Sequence, residues 1–531
     1  MVPLPYITAA RVDRPAAASA GRARWSVLAA LLVFWGLAFW NLDRYPPIHF
    51  DEATILEPGY QLFYNGVYGS RLYTGFYGQE RLYLEVPPLM SVLQGASVRL
   101  LGVGVWQMRY LPVVFGLLTL ALTAALANRI AGPAVSGLAA WVVLLWKWTP
   151  SDLDFLGSGL PLLDIARIAR YDILVPVFGL SAFLVWLRAR SAARPWLLVV
   201  CGLLAGLSGL ANVYGAFWVA ALGGLTWLDG GEGRRRRLAW LLAGAALPVL
   251  AWVGVLVANW DDTRGQFIKH AGRFDLLRPS FYLDNLLNEA HRYFLGVHDP
   301  ATYWRLGFWL VVVGLPASLV WLAWRWRRAR EARARFLLVP ALVLPALLAL
   351  LDSEKRFYYL IVVIPVFAII VAWSMTAAFR AASRGWRGLM VMLAALLAVQ
   401  GALGVVALQS LAAQALPPAD VYANLRQMVP PAPGIILGSP QLWIGMPASN
   451  FRSIVLPFLL ALPLNPKPVP FEMALNDIHP RIVLMDPELR HAISADYGPP
   501  FWDFMAAHHA RIIGQVPGYE GQGITVYQLD R

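Results

Sequence analysis

Apolar runs of bilayer-crossing length recur through most of this chain, and no other feature constrains its fold as tightly. They occupy residues 25–42, 110–128, 133–148, 171–188, 196–212, 213–228, 238–258, 306–326, 336–351, 358–376 and 388–413. Each comes close to the roughly 20 residues a helix needs to cross a hydrocarbon core of about 30 Å. Inside a bilayer every backbone group must be bonded within its own segment, so the pattern predicts a mainly α fold, a polytopic transmembrane bundle of about eleven spans. Composition agrees: 58% of the 531 residues are hydrophobic and only 14% charged, a balance foreign to soluble globular enzymes.

The formal net charge is +13, yet the basic residues do not form a nucleic-acid surface. They concentrate in short links, "RARSAAR" (188–194), "RRRR" (234–237), "RWRRAREARAR" (325–335) and "FRAASRGWR" (379–387). Loops retained in the cytoplasm carry such an excess of Lys and Arg. One apolar piece, "PPLMSVLQGASVRLLG" at 87–102, is ambiguous because it is short, begins with two prolines and holds Arg99. Read as a juxtamembrane helix, with Arg22 and Arg24 cytoplasmic, it leaves all four basic links on the cytoplasmic side; read as a span, it sends all four to the wrong side. The first reading places the loop 43–109, the links 149–170, 259–305 and 351–357, and everything after about 415 on the extracytoplasmic side.

Residues 1–24, rich in Ala, Pro and Arg, read as a disordered cytoplasmic N-terminus, and residues 25–415 as the membrane domain. The first span follows a long polar lead and no small-residue cleavage site comes after it, so it reads as an anchor rather than a cleavable signal. The lone Cys201 forms no intrachain disulfide. Beyond "PPAD" (417–420) the apolar runs shorten to strand length: "GIILGS", "RIVLMD", "RIIGQV" and "ITVYQL", with a helix-like stretch at 501–510. Residues 416–531 are thus expected to form a small extracytoplasmic α/β domain.

The informative motifs lie along the extracytoplasmic links. "HFDEA" (49–53) follows the first span, "LEVPPL" (84–89) precedes the juxtamembrane helix, and "MRYLP" (108–112) opens the next span. "IARYDILVPVFGLSAFLVW" begins a later span with Arg170 and Asp172, and "SEKRFYYLIVVIPVFAIIVAW" carries Arg356, Tyr359 and Pro365. In this order and spacing the first 410 or so residues resemble the membrane glycosyltransferases of the GT-C class, the superfamily of protein O-mannosyltransferases and the lipid A aminoarabinose transferase.

That resemblance implies an enzyme transferring a sugar from a polyprenyl-phosphate carrier to an acceptor hydroxyl on a protein, lipid or glycan, with inversion. It assigns Asp51 as general base, supported by Glu52, since the attacking hydroxyl must lose a proton. The departing phosphate requires cations, and Arg71, Arg81, Arg109, Arg170, Lys355 and Arg356 are the candidates, with Glu85, Asp172 and Tyr359 completing the substrate-binding set. Two family positions differ: Val86 stands where the Glu-Lys-Pro-Pro motif has lysine, and Thr54 where the aminoarabinose transferases have arginine. A divalent metal held by Glu85 with His291 or His298 is left open, as is a cation site at Asp152 and Asp154.

Membrane lipids are the remaining expected partner, in a bacterial plasma membrane. The aromatic cluster at 60–83 suits either sugar stacking or an interfacial belt. Two other functions share these gross features: a lipid or solute transporter, and a non-catalytic glycan-binding member of the superfamily. A transporter would show repeated halves and polar residues at mid-span depth, whereas here the charges gather at the ends.

Overall fold

The computed structural model describes residues 17–147, 157–192, 194–229, 233–270, 273, 275–294, 306–431, 434–463, 465, 467–518 and 523–530. Helix α1 (Ala17–Phe39) is followed by α2 (Phe50–Asn65) and α3 (Leu89–Leu101), then α4 (Val105–Ala131) and α5 (Pro133–Leu145). A short α6 (Pro161–Ala166) precedes α7 (Leu174–Ala192), α8 (Pro195–Ala211), α9 (Phe217–Leu228) and α10 (Arg234–Ala258). Three small helices follow, α11 (Trp260–Gln266), α12 (Pro279–Leu287) and α13 (Ala290–Phe294). Next, α14 (Leu306–Trp309) runs through a π turn into α15 (Leu315–Arg328), and α16 (Ala332–Leu351), α17 (Ile364–Ala381) and α18 (Arg384–Gln414) complete the bundle.

Every apolar run read as a span is thus helical. Among the described residues eight helices are long and apolar enough to cross a membrane, while α5, α8 and α9 are apolar but shorter. This is the architecture of an integral membrane protein. Helix α1 already begins at Ala17, so the disorder expected over 1–24 does not extend to its last residues, where an alanine-rich run favours helix; residues 1–16 lie outside the described residues.

Helix α3 has 13 residues, about 20 Å of helix, too short for a hydrocarbon core of about 30 Å. It lies against α2 at backbone contact. A Cβ on Gly59 would sit 1.8 Å from the Ser91 carbonyl oxygen, and one on Gly95 2.3 Å from that of Gly59.

The two ends of the bundle differ in chemistry. At one, the junctions between spans meet on a single carboxylate: Asp229 receives Arg190 at 2.8 Å, Arg335 at 2.9 Å and Arg237 at 3.6 Å. At the other lie α2, α3, α6, α11 to α13 and the C-terminal domain.

That domain comprises α19 (Pro418–Met428), β1 (Ile435–Gly438), β2 (Phe451–Ser453), α20 (Val455–Ala461), α21 (Phe471–Ile478), β3 (Pro480–Met485), α22 (Pro487–Asp496), α23 (Gly498–Ala507), β4 (Arg511–Pro517) and β5 (Gly523–Gln528). The strands form one sheet of order β2-β1-β3-β5-β4, parallel across β2-β1-β3 and antiparallel beyond. Its apolar core does not close on itself. Leu56 and Tyr60 of α2, with Leu72, Tyr73 and Phe76 after it, are buried in one cluster with Leu442, Trp443 and Ile482 of the domain. Tyr60 meets the Trp443 ring edge-on at 5.3 Å.

Candidate active site

Two buried arginines fix the chain where it leaves α1. Arg167 donates to the carbonyls of Leu37, Ala38, Trp40, Asn41 and Tyr45 at 2.6–3.0 Å. Arg109 donates to those of Leu42, Pro46 and Pro47 at 2.9–3.2 Å. A helix C-terminus leaves carbonyls without intrahelical donors, and cations there satisfy them and the helix dipole together. Burial and the nearby Arg109 charge press the pKa of Arg167 down to about 10. The strap thus held delivers His49, which starts α2: its Nδ1 accepts from the Asp51 amide at 3.2 Å, and Glu52 accepts from the His49 amide at 3.0 Å.

Successive residues on a helix point about 100° apart, so the acid pair divides. Glu52 turns inward and is fully buried. Its Oε1 accepts from the His49 amide and Arg109 Nη2 (2.6 Å), and its Oε2 from Arg109 Nε (2.9 Å) and the Ala169 amide (2.8 Å). The Nε, Nη1 and Nη2 atoms of Arg109 all end on Glu52 or a backbone carbonyl. This pair is a buried scaffold. Fully bonded and fully buried, Glu52 and Arg109 keep no donor or acceptor for substrate, which argues against Glu52 supporting Asp51 in the chemistry and against Arg109 holding the phosphate.

Asp51 points the other way, its side chain 27% exposed. Its carboxylate pairs with Arg170 Nη1 and lies 3.6 Å from His49 Nδ1. Arg170 in turn donates from Nε to Asp172 at 2.9 Å, and the other Asp172 oxygen accepts from Asn212 at 2.8 Å. The Tyr358 ring covers the Arg170 guanidinium at 4.1 Å. Burial opposes the charge of Arg170, but Tyr358, Asp172 and Asp51 outweigh it and hold its pKa well above the ordinary value. One chain of hydrogen bonds therefore runs from Asp51 to Asn212.

Asn212 lies on the wall of a cavity of about 880 Å³. One flank of the cavity is apolar, built by Val249, Trp252, Val253 and Leu256 of α10; Val249 and Val253 are 37% and 40% exposed on the outer surface of that apolar helix. The other end is polar and carries Glu85, His270, Arg273, Tyr171 and Tyr359. Arg273 pairs with Glu354, lies 3.1 Å from His270 Nδ1 and reaches the Tyr359 hydroxyl at 3.5 Å. Burial works against its charge; Tyr359 and Glu354 prevail and raise its pKa.

The other expected residues scatter. Lys355 donates to Glu289 at 2.8 Å and the Ala349 carbonyl at 2.7 Å, and burial lowers its pKa. It belongs to an internal ion cluster in which Arg292 meets Asp352 at 2.7 Å and Asp352 accepts from Tyr214 at 2.5 Å. Two of its three donors are thus spent inside that cluster, and Lys355 is not among the residues lining the cavity described above. Arg356 stays at the rim, 3.8 Å from Glu354. Arg81 is solvent-exposed beside Asp262, and the Arg71 side chain is exposed too.

For a metal, Glu85 and His291 are not brought together. Glu85 Oε1 faces His270 Nε2 at 3.5 Å, while exposed His291 lies against the Asn288 carbonyl. Among the described residues no three His, Cys, Asp or Glu converge, so Glu85 and His270 offer two donors where a structural zinc takes four. His298, Asp152 and Asp154 lie outside the described residues.

No protein-family profile and no curated protein matches the chain, but solved structures do. ArnT from Cupriavidus metallidurans, solved bound to undecaprenyl phosphate, superposes over 95% of this chain and 98% of its own with a TM-score of 0.59 and 17% identity. The chain has the GT-C fold. The Archaeoglobus fulgidus oligosaccharyltransferase complexed with zinc and sulfate aligns over 87% of this chain and 68% of its own (TM-score 0.57, 15% identity). The same organism's AglB, complexed with an inhibitory peptide and a dolichol-phosphate, aligns over 88% and 70% (TM-score 0.56, 13% identity).

On this GT-C scaffold the residues that sequence reasoning passed over are His270 and Arg273. The link 259–305 holds three histidines and six arginines or lysines, and only the fold tells which of them face Glu85. Asn212 was missed because it sits at an apolar span's end with no motif around it, and Tyr171 because it is the unspecified middle residue between Arg170 and Asp172.

Proposed function

We propose that the chain is a membrane glycosyltransferase that takes a sugar from a polyprenyl-phosphate carrier and passes it to an acceptor hydroxyl, at a site on the extracytoplasmic face. The observation carrying this reading is the cavity's polarity. An apolar flank with exposed valines suits a tail that cannot leave the bilayer, and the far end offers Arg273 to a phosphate. The wall between carries Asn212, where the hydrogen-bonded chain from Asp51 of the "HFDEA" motif arrives. The basic end around Asp229 then faces the cytoplasm, as the distribution of Lys and Arg requires.

In this mechanism the phosphate docks on Arg273, with His270 and Tyr359 beside it. The acceptor hydroxyl gives its proton to Asp51 as its oxygen bonds to the anomeric carbon. The bond from that carbon to the phosphate oxygen breaks, and the electron pair leaves on the carrier phosphate, whose added charge Arg273 balances. One displacement from the opposite face inverts the configuration. Arg170 fixes the Asp51 carboxylate, and Asp172 and Asn212 fix Arg170. No step is assigned to a metal, since Glu85 and His270 alone do not make up a ligand set.

Asp51→Asn and Arg273→Ala test this in membranes containing the full chain. Asp51→Asn abolishes sugar transfer from the polyprenyl-linked pool while undecaprenyl phosphate still binds; Arg273→Ala weakens that binding. Undiminished transfer by Asp51→Asn removes the base from the mechanism.

A further inference from the structure

The polar end of the cavity has two lips, joined where Glu85 faces His270 at 3.5 Å and, behind them, by a fully buried glutamine. On one side stand Glu85 and Val86; on the other, the segment after α11 carrying His270 and Arg273. Gln266, the last residue of α11, is fully buried. Its oxygen accepts from the Leu84 amide at 2.7 Å, and its nitrogen donates to the Tyr77 and Leu82 carbonyls at 2.9 and 3.0 Å. An amide side chain offers two donors and an acceptor, and here each is used to hold the 77–84 loop onto α11.

Tyr77 forms the second half of the link. A Cβ on Gly265 would lie 2.0 Å from the Tyr77 ring, so the ring rests on bare backbone next to Gln266. Tyr77 keeps φ at +45°, a left-handed conformation that costs a bulky residue on the order of 1 kcal/mol unless its surroundings hold it there. Besides Gln266 at its carbonyl, the C-terminal domain holds it: the Tyr77 hydroxyl donates to Asn465 Oδ1 at 2.5 Å. Asn465 is itself fixed, accepting from the Lys467 amide at 3.1 Å and donating to the Leu460 carbonyl at 3.2 Å.

We infer that Tyr77, gripped by Asn465 of the C-terminal domain and laced to Gln266, is a positioning residue through which that domain sets the spacing of the two lips and hence the cavity's affinity for a carrier phosphate. The inference rests on the assignment of the cavity to that carrier. It gives the C-terminal domain a role toward the donor, in a chain whose sugar-bearing chemistry lies elsewhere in the fold.

The test uses the full-length protein in nanodiscs with undecaprenyl phosphate as probe, binding read by native mass spectrometry and stability by a thermal scan. Tyr77→Phe and Asn465→Leu each weaken binding about fivefold, the loss expected for one net hydrogen bond. The double variant is no weaker than Asn465→Leu, because the bond that Tyr77→Phe removes is already lost there. Asn465→Asp, which keeps an acceptor for the tyrosine hydroxyl but loses the donor to the Leu460 carbonyl, binds more tightly than Asn465→Leu, a partial rescue that loosened packing would not produce. Gln266→Leu weakens binding more than Tyr77→Phe. If both single variants bind like wild type while Arg273→Ala does not, the coupling is wrong and the carrier site stands. If Arg273→Ala also binds like wild type, the site itself is misassigned.

Discussion

Glu57 makes the fold's stability depend on pH, with a sign opposite to that of most carboxylates. It sits in α2 and is completely buried. Its Oε1 accepts from Gln61 at 2.8 Å and the Arg71 amide at 2.9 Å, and the Ser70 hydroxyl lies beside the carboxyl group. Burial pushes its pKa from 4.5 to about 7, with Ser70, Arg71 and Gln61 pulling the other way. The folded state therefore holds the Glu57 proton more tightly than the unfolded chain does. This stabilisation is complete below pH 4.5 and is lost as pH rises through about 7. At about 1.36 kcal/mol per pH unit the ceiling is about 3 kcal/mol, and water entry on ionisation brings the effect to about 1–3 kcal/mol.

Glu57→Gln removes the titration, keeps an acceptor for Gln61 and Arg71, and turns an amide toward the Ser70 hydroxyl. The measurement is a thermal scan of the purified protein at one scan rate, near pH 5.5 and again near pH 8.5, since unfolding of such proteins is commonly irreversible. Wild type and variant melt close together at the lower pH, and the wild type falls below the variant at the higher one. A gap between them that does not change with pH refutes a buried, titrating Glu57.

The remaining expectations separate scaffold from site. Glu52→Gln leaves Arg109 buried without its counter-charge and costs about 3–5 kcal/mol, seen as loss of folded protein on size exclusion, whereas Asp51→Asn purifies normally. Lys355→Met lowers the melting temperature but changes undecaprenyl phosphate binding by less than about twofold, a shift worth only about 0.4 kcal/mol. Asp229→Asn leaves Arg190, Arg237 and Arg335 facing one another; it lowers the melting temperature, and added salt recovers part of the loss by screening, while carrier binding stays unchanged.

Much of the scaffold is written locally and so was legible in the chain. Each apolar run became a helix because membrane-length hydrophobicity leaves few alternatives, and four strand-length runs became β1, β3, β4 and β5. Strand β2 was not foreseen: it is the three-residue Phe451–Ser453, too short to show an alternation. The site was less legible. Sequence shows that Arg109 and Lys355 are charged and lie at span ends, but not that the fold already occupies their donors with Glu52, Glu289 and backbone carbonyls. The division of Asp51 from Glu52 was within reach, since adjacent helical residues cannot face the same way. The choice of His270 over His291 was not, because it depends on where α11 meets the 77–85 loop.

The shared core between α2 and the sheet has a practical corollary for protein engineering. Residues 416–531 expressed by themselves would leave the Trp443 face wet, and the membrane portion truncated near 415 would bare Leu56, Tyr60 and Phe76 in return. Neither cut yields two well-behaved halves; any truncation that respects this chain must keep the stretch from Phe50 to Phe76 attached to the sheet it helps to seal.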